Sequence, residues 1–134
     1  METSWRDRLH GLSPTTKVES ESFAGMSLAS LRPGNKWFDR CDFSGADLRH
    51  ATFDQCHFRF CDFRRTDLTG SSIRAATFAG CDFTDANLTN CDLTGSTLTH
   101  VNTGTCSGVT IMTGAVLKGV NLNEVVAERV VGWR

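Results

Sequence analysis

The stretch CDFSGADLRHATFDQCHFRFCDFRRTDLTGSSIRAATFAGCDFTDANLTNCDLTGSTLTHVN, residues 41–102, returns an apolar residue at every fifth position. Phe43, Leu48, Phe53, Phe58, Phe63, Leu68, Ile73, Phe78, Phe83, Leu88, Leu93 and Leu98 follow without a slip. Two places before each sits a small residue: Cys41, Ala46, Ala51, Cys56, Cys61, Thr66, Ser71, Ala76, Cys81, Ala86, Cys91 and Ser96. A period of five fits neither the 3.6 of an α-helix nor the 2 of a flat strand. Sustained this long, a fixed period marks a repeat solenoid.

A second period of twenty lies over the first. Phe23, Phe43, Phe63 and Phe83 form one column, Leu28, Leu48, Leu68 and Leu88 the next, and Phe38, Phe58, Phe78 and Leu98 a third. Four pentads therefore make one turn, and each side chain stacks on its counterpart one coil away. Adjacent strands lie about 4.8 Å apart, so a ladder of Phe rings packs without voids. The small column has to be small because two inward residues per side share a narrow interior.

These residues resemble the pentapeptide-repeat family, whose unit reads Ala-(Asp/Asn)-Leu-X-X, with Cys often replacing Ala and Phe replacing Leu. The match is clear from Cys41 to Leu98 and looser from Glu21 to Glu124. The resemblance implies an all-β fold: a right-handed quadrilateral parallel β-helix with short N-terminal and C-terminal capping segments. The expected organisation is residues 1–20 as an N-terminal cap or arm and 21–124 as the β-helix. Its regular core is 41–103, with a register fault at about 104–114; residues 125–134 form a C-terminal cap or dimerisation segment.

A chain of 134 residues is one domain, with enough ladder residues to fill a core. Its net charge of −1 argues against bulk attraction to nucleic acid or an anionic membrane. No apolar run reaches membrane-spanning length and the N-terminus lacks a signal-peptide core, so the expected setting is cytoplasmic. Five of the six cysteines fall in the small inward column beside Ala and Ser. That position selects for size, and reduced core thiols are expected rather than disulfides or a metal site.

Ser4 is a candidate cap for a short helix carrying Trp5 to Leu9, which would cover the first coil. In that coil Glu21 and Lys36 occupy small inward positions and Pro33 a central one, which suggests an open edge. After Val101 the pattern falters, then resumes one residue out of phase at Ala115, with Gly104, Gly108 and Gly114 in the interval. The valine-rich end reads as either a short helix or a last strand. The resemblance makes it a candidate homodimer segment through Val126, Val130 and Trp133.

Outside, Asp42, Asp62 and Asp82 form one acidic column, and Asp47 and Asp67 another. A different side carries Trp37, Arg40, His57, Arg59 and Phe60, a basic-aromatic patch; Trp37 is equally placed to pack beneath the N-terminal segment. Some family members mimic B-DNA and bind DNA gyrase or topoisomerase IV, affecting quinolone resistance. The resemblance therefore makes a type II topoisomerase a candidate partner, met through Asp42, Asp47, Asp62, Asp67 and Asp82. Asp and Asn at these positions also simply follow the repeat, supporting its turns. Eight Asp stand against five Arg between Cys41 and Thr103, much sparser than the charge of a duplex.

No HExxH, CxxC, GxSxG or phosphate-loop motif occurs, and the four histidines are scattered, as solvated surface residues are. The expectation is a non-catalytic rod that binds a protein partner, with no cofactor, no metal, no nucleic acid and no membrane. The rival classes are an enzyme or ligand-binding accessory factor in a biosynthetic pathway, and a structural scaffold without a dedicated ligand.

Overall fold

The computed structural model describes Leu9, residues 17–101 and residues 108–132. Over these residues the chain winds as a parallel β-helix with four faces. The corners come first. The residue two places after most central ones is left-handed, at Gly25 and Gly45 but also at Arg40 (φ 58°), Arg65 (φ 56°) and Ala75 (φ 55°). At many corners the next N–H closes the turn onto the central carbonyl, as from Ala46 to Phe43 (3.0 Å) and from Cys91 to Leu88 (2.9 Å). A left-handed non-glycine residue costs about 1–2 kcal/mol, which the inward stacking on either side offsets.

On the first face the strands are β1 (Lys17–Glu19), β2 (Trp37–Asp39), β3 (His57–Arg59), β4 (Thr77–Ala79), β5 (Thr97–Thr99) and β6 (Val126–Ala127). They form one six-stranded parallel sheet in chain order. The other faces are ladders of single bridges. Ser22, Asp42, Asp62 and Asp82 line the second; Ser27, Asp47, Asp67 and Asn87 the third; Thr52, Ser72, Asp92 and Asn121 the fourth. Pairing starts at Lys17 and reaches Val131, so the winding extends past both residue 21 and residue 124. The valine-rich end supplies a strand, β6, rather than a helix. Leu9 lies in helical backbone and is fully buried; the rest of the expected N-terminal helix lies outside the described residues.

The Phe columns stack as the period of twenty requires. Ring centres are 4.8 Å apart for Phe23–Phe43, 5.0 Å for Phe43–Phe63 and 4.8 Å for Phe63–Phe83. The Phe38–Phe58–Phe78 ladder runs beside it at 5.2 and 4.8 Å. The two ladders meet edge to face, 5.2 Å and 75° between Phe58 and Phe63. Offset stacks and T-shaped pairs are the arrangements that the ring quadrupole favours.

Where the small column carries Cys, Thr or Ser rather than Ala, the side chain adds a hydrogen bond to its packing. Cys41, Cys61 and Cys81 point their thiols at the carbonyls of Val18, Phe38 and Phe58 one coil below (3.3, 3.3 and 3.4 Å). Thr66 and Ser96 do the same to Phe43 and Ile73. All five described cysteines are free and buried. Burial pushes the Cys56 and Cys91 thiols up to about 11; hydrogen bonding to Cys61, then burial, raises Cys41 further. All five thiols are covered by the coil walls, and cover withholds them from reagents that attack the thiolate. Native protein treated with iodoacetamide should take up label on no more than one of its six cysteines, Cys106, and on all six after denaturation. Intact mass spectrometry checks this.

Two local expectations need correction or refinement. Lys36 does not mark an open edge: it is 2% exposed, folded over the Pro33-Gly34 turn with Nζ donating to the Pro33 carbonyl at 2.8 Å. The irregular turn, with Gly34 at φ 79°, makes room for it. The phase fault is an insertion at one corner. The step across it is 29 residues (Asp82 to Ile111) where it is 20 elsewhere (Asp62 to Asp82), so the chain takes up nine extra residues there and the ladder resumes. A hydrogen bond from the Val101 N–H to the Gly108 carbonyl (2.8 Å) closes its base.

Candidate interaction surface

The acidic columns sit where expected, on the second and third faces, and each carboxylate there is engaged in a local turn. Asp42 accepts from the Ser44 N–H (2.8 Å) and hydroxyl (2.6 Å), and Asp67 from the Thr69 N–H (3.1 Å) and hydroxyl (2.6 Å). Asp82 does the same with Thr84. Asp47 and Asp62 instead hold the guanidinium groups of Arg49 and Arg64 in two-pronged pairs, closing to 2.8 and 2.7 Å. On the fourth face Ser72 stands where another face has Asp. Asp54 from the coil below substitutes, accepting from the Ser72 hydroxyl (2.7 Å) and the Arg74 N–H (2.9 Å). The signal was present in the sequence: Asp or Asn followed two places later by Ser, Thr or Arg is an Asx-turn pattern.

The pKa directions agree. The Arg49 hydrogen bond holds the Asp47 carboxyl low. For Asp62 partial burial acts to raise it, but the hydrogen bonds and charge of Arg64 win and hold it low. The Thr94 hydroxyl and N–H lower Asp92. A carboxyl depressed in the fold contributes stability above its unfolded value of about 3.9, lost as pH falls through the lower folded value. The protein should therefore hold its melting temperature from pH 7 to about 5 and lose it progressively below about 4. The loss should shrink in an Asp47→Asn/Asp62→Asn/Asp92→Asn variant, read by thermal melts across pH.

The basic-aromatic residues come together on the first face and its outgoing corner. Trp37 is 46% exposed and stacks on His57, ring centres 4.1 Å apart at 19°. Of the two placements open for Trp37, the structure takes the outward one. Phe60 occupies the left-handed corner of the same coil as His57, with Arg40 and Arg59 over its ring at 5.0 and 5.4 Å. Its ring lies against Gly80, where a Cβ would come within 3.1 Å of it. Asp39, not singled out from the sequence, anchors the cluster. Its carboxylate, 9% exposed, binds Arg40 (3.0 Å) and Lys17 (3.3 Å). Arg59 has no ion pair among the described residues.

Of the scattered histidines, His100 departs from expectation: its Nδ1 is buried without a hydrogen-bond partner, beside the start of the insertion. His50 is exposed as expected, its ring over Gly70. Among the described residues no group of three or more His, Cys, Asp or Glu could hold a metal. No helix among them is long and apolar enough to cross a membrane. At the C-terminal end Val126 is 55% exposed, Val130 packs partly against the core, and Trp133 lies outside the described residues. The outward column turns apolar there: Val116 and Val131 stand over Asn87 and Ile111.

A family model described as a pentapeptide repeat region matches residues 36–107. No functionally curated protein matches the chain. Among solved structures, a pentapeptide repeat protein from the Arabidopsis thaliana thylakoid lumen is 26% identical, with a TM-score of 0.43 over 82% of this chain and 67% of that one. The plasmid-mediated fluoroquinolone resistance protein QnrB1 is 14% identical, with a TM-score of 0.49 over 81% and 70%. Rfr23 from the cyanobacterium Cyanothece 51142 is 15% identical, with a TM-score of 0.39 over 90% and 86%.

Proposed function

The chain belongs to the pentapeptide-repeat family, and on that premise we propose that it is a non-catalytic, cytoplasmic rod that binds a protein partner through its basic-aromatic side. The observation that carries this reading is the exposed Trp37, held in one orientation by His57, beside two guanidinium groups on Phe60. Trp and Arg are the residues most enriched at interface hot spots, and a pre-stacked indole loses little entropy on binding. A benzophenone photo-crosslinker introduced at Trp37 should trap a discrete protein in source cells, and the same group at Thr94 on the fourth face should not. Equal trapping at both positions, or none at either, overturns the reading.

A type II topoisomerase is the concrete candidate for a second reading, favoured by the ladders Asp42–Asp62–Asp82 and Asp47–Asp67 on adjacent faces. Against it, Arg49, Arg64 and Arg65 interleave with those ladders, and a groove built for phosphates would repel them. A gyrase supercoiling assay separates the two. Inhibition, or relief of quinolone inhibition, that is lost on neutralising Asp42, Asp67 and Asp82 supports mimicry, and no effect at micromolar protein removes it.

The same reading includes a homodimer through the last coil, whose exposed Val116, Val126 and Val131 replace the polar outward residues of earlier coils. Sedimentation should give a dimer at micromolar concentration, and a monomer for Val126→Asp/Val131→Asp with an unchanged far-ultraviolet spectrum.

A further inference from the structure

Resting on the interaction reading above, we infer that the partner's contact is an acidic segment, which lays a carboxylate on Arg59 and an apolar side chain on Trp37. The charge arrangement points there. Lys17 is paired with Glu19 (3.0 Å) and shares Asp39 with Arg40, so those charges are answered within the protein. Arg59 sits one strand from Asp39 in register, yet its guanidinium rests on Phe60 rather than on that carboxylate. Among the described residues Arg59 is left without an anion, beside the exposed indole of Trp37.

The surroundings select for a discrete carboxylate rather than a phosphate backbone. Along this face, beyond β3, the outward residues are Thr77, Ala79, Thr97 and Thr99, with no further cation to continue a track. Around the corner, the second face opens on Asp42, Asp62 and Asp82, which would oppose a polyanion. Single-stranded nucleic acid needs a cationic groove as well as stacking platforms, and only the platform is present.

One segment can meet both groups. Trp37 stands on β2 and Arg59 on the neighbouring β3, where Trp37 pairs with His57 and Asp39 with Arg59, so the two lie one strand spacing, ~4.8 Å, apart along the axis and two residues apart along the strand.

The test uses the full chain and three probes in fluorescence anisotropy: a fluorescein-labelled peptide of about twelve residues alternating Glu with Leu and Phe, its Gln counterpart, and an oligothymidylate of similar length. The Glu peptide should bind the protein, and the Gln peptide and oligonucleotide at least about tenfold more weakly. Arg59→Glu and Trp37→Ala should each weaken the Glu peptide about tenfold or more, while Arg74→Glu on the fourth face leaves it unchanged. A Lys version of the peptide should bind Arg59→Glu better than the parent, which loss of folding cannot produce. Equal binding of Glu and Gln peptides, tighter binding of the oligonucleotide, or an unaffected Arg59→Glu variant overturns the inference. If the peptide fails while crosslinking at Trp37 still traps a partner, only the acidic-segment inference falls; if both fail, the interaction reading falls with it.

Discussion

Deleting Ala75 alone abolishes the cooperative fold, whereas duplicating the whole coil 57–76 leaves it intact and at least as stable. Ala75 is an exposed, left-handed corner residue (φ 55°) outside the core. Its removal shifts every later residue by one slot. Phe78, Phe83, Leu88 and Leu93, each about 1% exposed, would turn outward. Asp82 and Asp92 would enter the small inward slots now held by Cys81 and Cys91, as unpaired buried charge. Losing four ladder residues and burying two carboxylates exceeds the whole stability of a domain, about 5–15 kcal/mol. A shorter side cannot absorb the change, because four residues cannot supply three for the face and two for the corner. The natural insertion after β5 is tolerated for the opposite reason: surplus residues need occupy no inward slot, and the ladder resumes at Ile111. A duplicated coil preserves every slot and adds one more stacking interface, which is how stability accumulates in solenoids. Circular dichroism melts of the two variants decide this: a sigmoidal transition in the Ala75 deletion, or none in the duplication, contradicts it.

Phe63→Ala costs about 3–5 kcal/mol, the upper range for truncating a buried aromatic. Its ring is stacked between Phe43 and Phe83 and meets Phe58 and Phe78 edge-on, at 5.2 and 5.9 Å. Truncation therefore opens two coil interfaces at once, and the neighbours cannot collapse inward because each is held by its own column. An outward change on the same coil, Arg65→Ala, should fall within about 0.5 kcal/mol of the parent. Urea titrations of both variants give the comparison; a Phe63→Ala cost no larger than that of Arg65→Ala contradicts the ladder.

The inward half of this molecule was legible because each inward slot admits few residues. The recurrence of Phe43, Phe63 and Phe83 at a spacing of twenty, with Cys41, Cys61 and Cys81 at the same spacing two places earlier, allowed one winding. The outward half was less so. The columns place Asp42 and Asp62 outside but do not say what their carboxylates meet; the Ser or Arg two residues on decides that. Trp37 could be read as covered or bare, since what lies over a face is settled by distant chain. Lys36 looked misplaced until the Pro33-Gly34 corner showed where its ammonium goes, and the buried, unpartnered Nδ1 of His100 is a feature no periodicity encodes.

Every surface assignment above depends on four short sides closing around vertical stacks of like side chains. Nuclear Overhauser contacts in a sample with selectively labelled Phe rings test that closure directly. Phe63 should show ring-to-ring contacts with both Phe43 and Phe83, its neighbours at 5.0 and 4.8 Å, while Phe43 and Phe83 show none with each other. Missing contacts from Phe63 to either ring, or a direct Phe43–Phe83 contact, would contradict the account.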